Sequence, residues 1–190
     1  MSLRQAAFPD LHELVQLFYE QPEDLARFCL VQSDQMPDVY RSLLNHNHHM
    51  TVTLETHHVS LVDLHVLDHD VTDDIYMRKI LLTRHSDDRV VQYGIVRLHL
   101  RYLTRPVRAE IQSRRIPLGR VLIDHNVLRR VELGQLWQVT PGADLCRHFQ
   151  LAAPIRTFGR TAIIHCDDEP AVELLEIVAP EKVNCEQGFS

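Results

Sequence analysis

The sequence predicts an α+β domain: an antiparallel sheet of about six strands with helices packed over it. Two observations carry that prediction. Alternating, β-branched apolar runs dominate from residue 50 onward and are separated by short polar turns. The helical patterns are gathered at the front of the chain and in one insertion between residues 106 and 126. Strands and helices that cluster in this way, without β-α-β alternation, indicate α+β.

The front of the chain reads as helix. Leu11, Leu14, Val15, Leu17, Phe18, Leu25 and Phe28 have the spacing of one or two short amphipathic helices, with Pro22 restarting the second. Pro37 opens a further helix through Val39, Tyr40, Leu43 and Leu44. Two strands are expected next, over Met50–Glu55 and Val59–Val66, followed by an acidic turn from Asp68 to Asp74. Ile75–Thr83 and Val90–Leu103 form the next pair, joined across His85-Ser86-Asp87-Asp88. Pro106–Arg115 reads as a charged helix, and Pro117 starts another, since proline at a first helical position gives up an N–H that has no partner there. Arg130–Val139 reads as a strand, Asp144–Phe149 as a helical turn, and Thr157–Cys166 with Ala171–Val178 as a closing hairpin. This divides the chain into a helical segment (1–45), a main domain (46–180) and a loose polar tail (181–190).

Composition narrows the function. The chain has 190 residues, enough to bury a real core, and a formal net charge of −6. A nucleic-acid binder would show a basic excess, so none is expected as partner. No apolar run approaches the length of a membrane span, and Met1–Ala7 is a poor signal peptide. Cys29, Cys146, Cys166 and Cys185 form no Cys-x-x-Cys pair and suit reduced thiols, so a cytoplasmic protein is expected. His46, His48, His49, His57, His58, His65 and His69 lack the spacing of a metal motif, and no metal is expected. Gly-x-Ser-x-Gly turns and phosphate-binding glycine loops are absent from the sequence.

Two charged residues in strands stand out. Arg78 shares a face with Tyr76, Ile80 and Leu82, and Glu176 shares one with Val172, Leu174 and Val178. A buried guanidinium needs a carboxylate, from the protein or from a ligand. A carboxylate among aliphatics either pairs or has its pKa raised. The two could pair with each other, lie at a solvated edge, or hold a ligand. A one-residue slip would instead bring Lys79 and Glu173 to that face. Beside them, Leu118 and Gly119 follow Pro117 at a helix start, where free backbone N–H groups suit a carboxylate.

Tyr76-Met77-Arg78-Lys79-Ile80-Leu81-Leu82, Pro117-Leu118-Gly119-Arg120 and Leu175-Glu176-Ile177-Val178-Ala179-Pro180 together resemble the chorismate lyase family, with the likeness running from about Leu43 to Pro180. That resemblance implies a six-stranded antiparallel sheet with a closed pocket beneath helical flaps. It also implies elimination of pyruvate from chorismate to give 4-hydroxybenzoate, without metal or cofactor. On this likeness Arg78 would grip the ring carboxylate, the Leu118 N–H beside Gly119 would help hold it, Glu176 would act as the acid, and Met50 would line the pocket. The family's second arginine aligns with Ile95, two residues before Arg97, which is the substitute expected here. The expected partner is a small molecule, chorismate or a hydroxybenzoate, and the chain is expected as a monomer or weak dimer. A lyase giving another hydroxybenzoate, or a non-catalytic sensor of small aromatic acids on the same fold, is the alternative.

Overall fold

The computed structural model describes residues 9–127 and 129–181. Its elements are, in chain order, α1 (Leu11–Gln16), α2 (Pro22–Leu25), β1 (Ala26–Val31), α3 (Asp38–Leu44), α4 (Met50–His58), β2 (Val62–Thr72), β3 (Ile75–Arg84), β4 (Val90–His99), α5 (Arg105–Ser113), α6 (Leu118–Asp124), β5 (Arg129–Pro141), α7 (Ala143–His148), β6 (Thr157–Cys166) and β7 (Glu169–Val178). The protein is α+β, with one seven-stranded antiparallel sheet in the order β1-β5-β6-β7-β4-β3-β2.

Alternation along the strands sorts side chains to two faces. Even-numbered residues of β3, β4, β6 and β7 point to one face. There Tyr76, Val96, Leu98, Ala162, Ile164 and Leu174 pack against α5 and α6, and Ile80, Leu82, Phe158 and Val178 pack against α3 and α4. The odd-numbered residues Leu81, Tyr93, Ile95, Leu175 and Ile177 pack on the other face against α1, α2 and α7. The sheet is therefore covered by helices on both sides.

Two expected elements differ. Met50–Glu55 is not a strand but the first part of α4. Its Val/Thr alternation is overridden because Met50, Thr51 and Leu54 bury together at helical spacing. The Thr53 and Thr56 hydroxyls donate to the carbonyls of His49 and Val52 one turn back. Ala26–Val31, of which only Ala26–Phe28 is expected within helix, is the edge strand β1, paired with β5 so that Phe28 meets Trp137 edge-on at 6.4 Å between ring centroids. The sheet thus gains an N-terminal strand, and the expected acidic turn shrinks because β2 runs on to Thr72. Of the expected loose tail, Glu181 is anchored by its N–H donating to Tyr40 Oη at 2.8 Å. The rest lies outside the described residues, as do Met1–Ala7 and Cys185. No helix among the described residues is long and apolar enough to cross a membrane.

Candidate functional site

The two apolar clusters on the even face do not meet in the middle of the sheet. There the cross-strand row Arg160↔Glu176↔Gly94↔Ile80 runs over β6, β7, β4 and β3. Gly94 contributes no side chain to this row, and a Cβ placed on it would stand 3.2 Å from Ile80 Cγ1. The hollow so left is roofed by the first turns of α4 and α6 and by His48 and His49. Its walls include Arg78, Ile80, Gln92, Val96, Arg160 and Glu176 from the sheet, with His49, Met50, Thr51, Leu118 and Gly119 above. The cavity has about 40 Å³ of free space, enough for a few waters or one end of a small molecule.

Glu176 takes the pairing route. Arg160 Nε donates to its Oε2 at 2.7 Å, and both side chains are buried. The remaining N–H groups of Arg160 close the roof, donating to the carbonyls of Leu44 (3.3 Å), His46 (2.8 Å) and His48 (3.3 Å). His46 Nε2 lies 2.7 Å from the Leu43 carbonyl, which can only accept, so that nitrogen carries the proton and Nδ1 faces Arg160 Nη1 at 3.3 Å. Burial, then the Arg160 charge, pushes the His46 imidazole down to about 4. His49 is pushed down to about 4 by burial, with Arg129 and Arg160 adding to it. Neutral His49 accepts from Arg129 Nε at 2.6 Å.

Arg78 has no carboxylate partner among the described residues; the polar side chain beside it is Tyr76, whose ring centroid lies 6.0 Å from its Cζ. It is 1% exposed, and its Nε and Nη1 find no hydrogen-bond acceptor among the described residues. Burial draws its guanidinium below the usual arginine range. Gln92, four residues along β4 from Val96, the cross-strand neighbour of Arg78, presents a buried Oε1 that lacks a donor. The cavity therefore offers an uncompensated cation and an unfilled acceptor on one wall. A small molecule carrying a carboxylate and a hydroxyl complements both.

The structure places Arg78, Glu176, Met50, Leu118 and Gly119 around the cavity. Arg97 is not with them, which corrects its assignment as a ligand-binding residue. It is odd-numbered in β4 and so leaves by the other face, where Nη2 donates to Glu173 at 2.9 Å and to Glu13 at 3.2 Å. Ile95 lies on that face too, in the apolar layer. The second guanidinium at the cavity is Arg160, which is not among the residues expected there. Its signal was the one used for Arg78, an arginine between Phe158 and Ala162 on the apolar face of a strand. The role of Gly119 also changes. A Cβ there would meet Thr51 Oγ1 at 3.1 Å and His49 Nδ1 at 3.5 Å, so the glycine lets α6 approach α4.

No protein-family model matches the sequence, and no curated protein matches it. The fold is similar to several solved structures. One is PhnF from Mycobacterium smegmatis, with 11% identity and a TM-score of 0.49, over 70% of this chain and 64% of that one. Another is the ligand-binding domain of a protein assigned to the GntR family of transcriptional regulators, from Bordetella bronchiseptica, with 10% identity and a TM-score of 0.48 over 65% and 92%. A third is a GntR-family transcriptional regulator from Enterococcus faecalis, with 9% identity and a TM-score of 0.42 over 65% and 99%. The chain spans less than two thirds of the length of PhnF.

The expectation of a lyase is corrected by the geometry of the site. The carboxylate assigned as the acid is held by Arg160, and the arginine assigned as the second cation for the substrate lies on the far face of the sheet.

Proposed function

We propose that this chain is a non-catalytic binding domain for a small aromatic acid, a hydroxybenzoate or close relative, whose carboxylate end enters the cavity under α4 and α6 and whose ring is admitted as the roof gives way. The observation that carries the reading is Arg78, a buried guanidinium on the cavity wall with unpaired donors. A buried charge without a counter-ion is strongly unfavourable, and a bound carboxylate relieves it through a bidentate hydrogen bond. Glu176 cannot do so because Arg160 already holds it. Gln92 Oε1 supports a hydroxyl elsewhere on the ligand, and the apolar side chains of Ile80, Val96 and Leu174 support a ring between. The roof explains retention. Arg160 fixes the 44–48 segment by its carbonyls, so the site is shielded from water, where a charge–charge contact is worth more.

A thermal-denaturation panel tests the reading. Benzoate, 3- and 4-hydroxybenzoate and the matching neutral amides are added to the purified protein. A binding acid at about a hundredfold excess over its Kd contributes ~2.7 kcal/mol, a rise of roughly 5–10 °C in a domain of this size. The amides leave Tm unchanged, and Arg78→Met abolishes the shift. Equal shifts from acids and amides, or no shift from any acid, would rule out an anion site.

A further inference from the structure

A second cluster lies away from the cavity, at the C-terminal end of α4. His57 and His58 close that helix, and Glu181 is brought up to them by its N–H bond to Tyr40. The nitrogen and oxygen donors of the three side chains lie within 4.8 Å of one another. His57 Nε2 is 4.0 Å from one Glu181 carboxylate oxygen, and His58 Nε2 is 3.8 Å from the other. These separations are too long for hydrogen bonds. They are close to the ligand–ligand distances, about 3.3–3.5 Å, that follow from tetrahedral zinc with bonds of about 2.0–2.2 Å. A second observation points the same way. The His58 side chain is 8% exposed, and its Nε2 has no hydrogen-bond partner among the described residues.

We infer that His57, His58 and Glu181 form a binding site for a divalent transition-metal ion, zinc by preference. Two imidazoles and one carboxylate are a zinc donor set, and three protein ligands leave a fourth position open to water or an exogenous ligand. Arg84 does not compete for the carboxylate, because its Nε already donates to Asp87 at 2.9 Å. A bound ion would tie the segment after β7 to α4.

The test uses the full chain, free of any affinity tag and stripped with EDTA. Zinc is titrated by calorimetry, and cobalt(II) is followed by its d–d absorption, which is intense only in a four-coordinate site. The expected result is one ion per chain, weakened at least about tenfold by His58→Ala and likewise by Glu181→Gln, with unchanged circular dichroism. His57→Gln, at an exposed position, gives the same loss without risk to the core. The inference is overturned if no ion binds. It is equally overturned if binding survives all three substitutions and is lost instead in a His46→Ala/His48→Ala variant.

Discussion

Arg78 and Glu176 show how the same burial has opposite consequences for two charged residues. Glu176 is paired, so Glu176→Ala leaves Arg160 with an uncompensated charge and should lower stability by about 3–5 kcal/mol. Arg78 is unpaired, so Arg78→Met removes a desolvation cost without orphaning a partner. The ligand-free protein should become more stable, by roughly 1–4 kcal/mol. Urea midpoints of the two variants, measured without ligand, check both signs. A destabilised Arg78→Met would mean that the guanidinium has a partner in the folded state. The sequence made both residues visible, because each stands among apolar residues of its own parity. It did not reveal that Arg160 would reach Glu176 first. That pairing depends on β6 lying beside β7, and strand order leaves no local pattern.

At the scale of elements, the hydrophobic period identified the six strands that line the cavity, β2 to β7, and misjudged two segments beside them. The Met50–Glu55 run has strand composition, yet its threonines satisfy their hydroxyls within a helix and its apolar side chains pack with α3. The short Ala26–Val31 strand is fixed by an edge pairing with β5, a long-range contact. Two glycines set close approaches that can be tested. A Cβ on Gly159 would fall 2.7 Å from the Glu176 backbone oxygen, which cannot move without separating β6 from β7. On Gly119 the nearest atom, at 3.1 Å, is the Thr51 hydroxyl, which can rotate. Gly159→Ala should therefore lower the urea midpoint clearly more than Gly119→Ala, the latter by about 1–3 kcal/mol of overpacking at most. Adding Thr51→Ala to Gly119→Ala should recover part of that loss, and strict additivity would show that the two helices do not press on each other there.

For the whole molecule, the roof over the cavity makes stability depend on pH. His46 and His49 have folded-state values near 4, against 6.5 for a free imidazole. Below about pH 6.5 the unfolded chain takes up protons that the folded chain refuses. Stability from these residues is thus fully present above pH 6.5 and is lost as the pH falls toward 4. Urea midpoints should drop between pH 7 and pH 5, and His49→Gln should flatten the profile. An unchanged midpoint over that range would mean the imidazoles are protonated in the fold.

Ligand binding in the cavity depends on the charge of Arg78, and calorimetry tests that dependence directly. The wild-type chain and Arg78→Met are titrated with 4-hydroxybenzoate and with 4-hydroxybenzamide, which differ at the carboxylate. The account predicts saturable 1:1 binding of the acid by the wild type, with the amide at least about tenfold weaker and the difference gone in Arg78→Met, as loss of a charge-assisted bidentate pair requires. Equal affinity for acid and amide, or an undiminished preference for the acid in the variant, would contradict it.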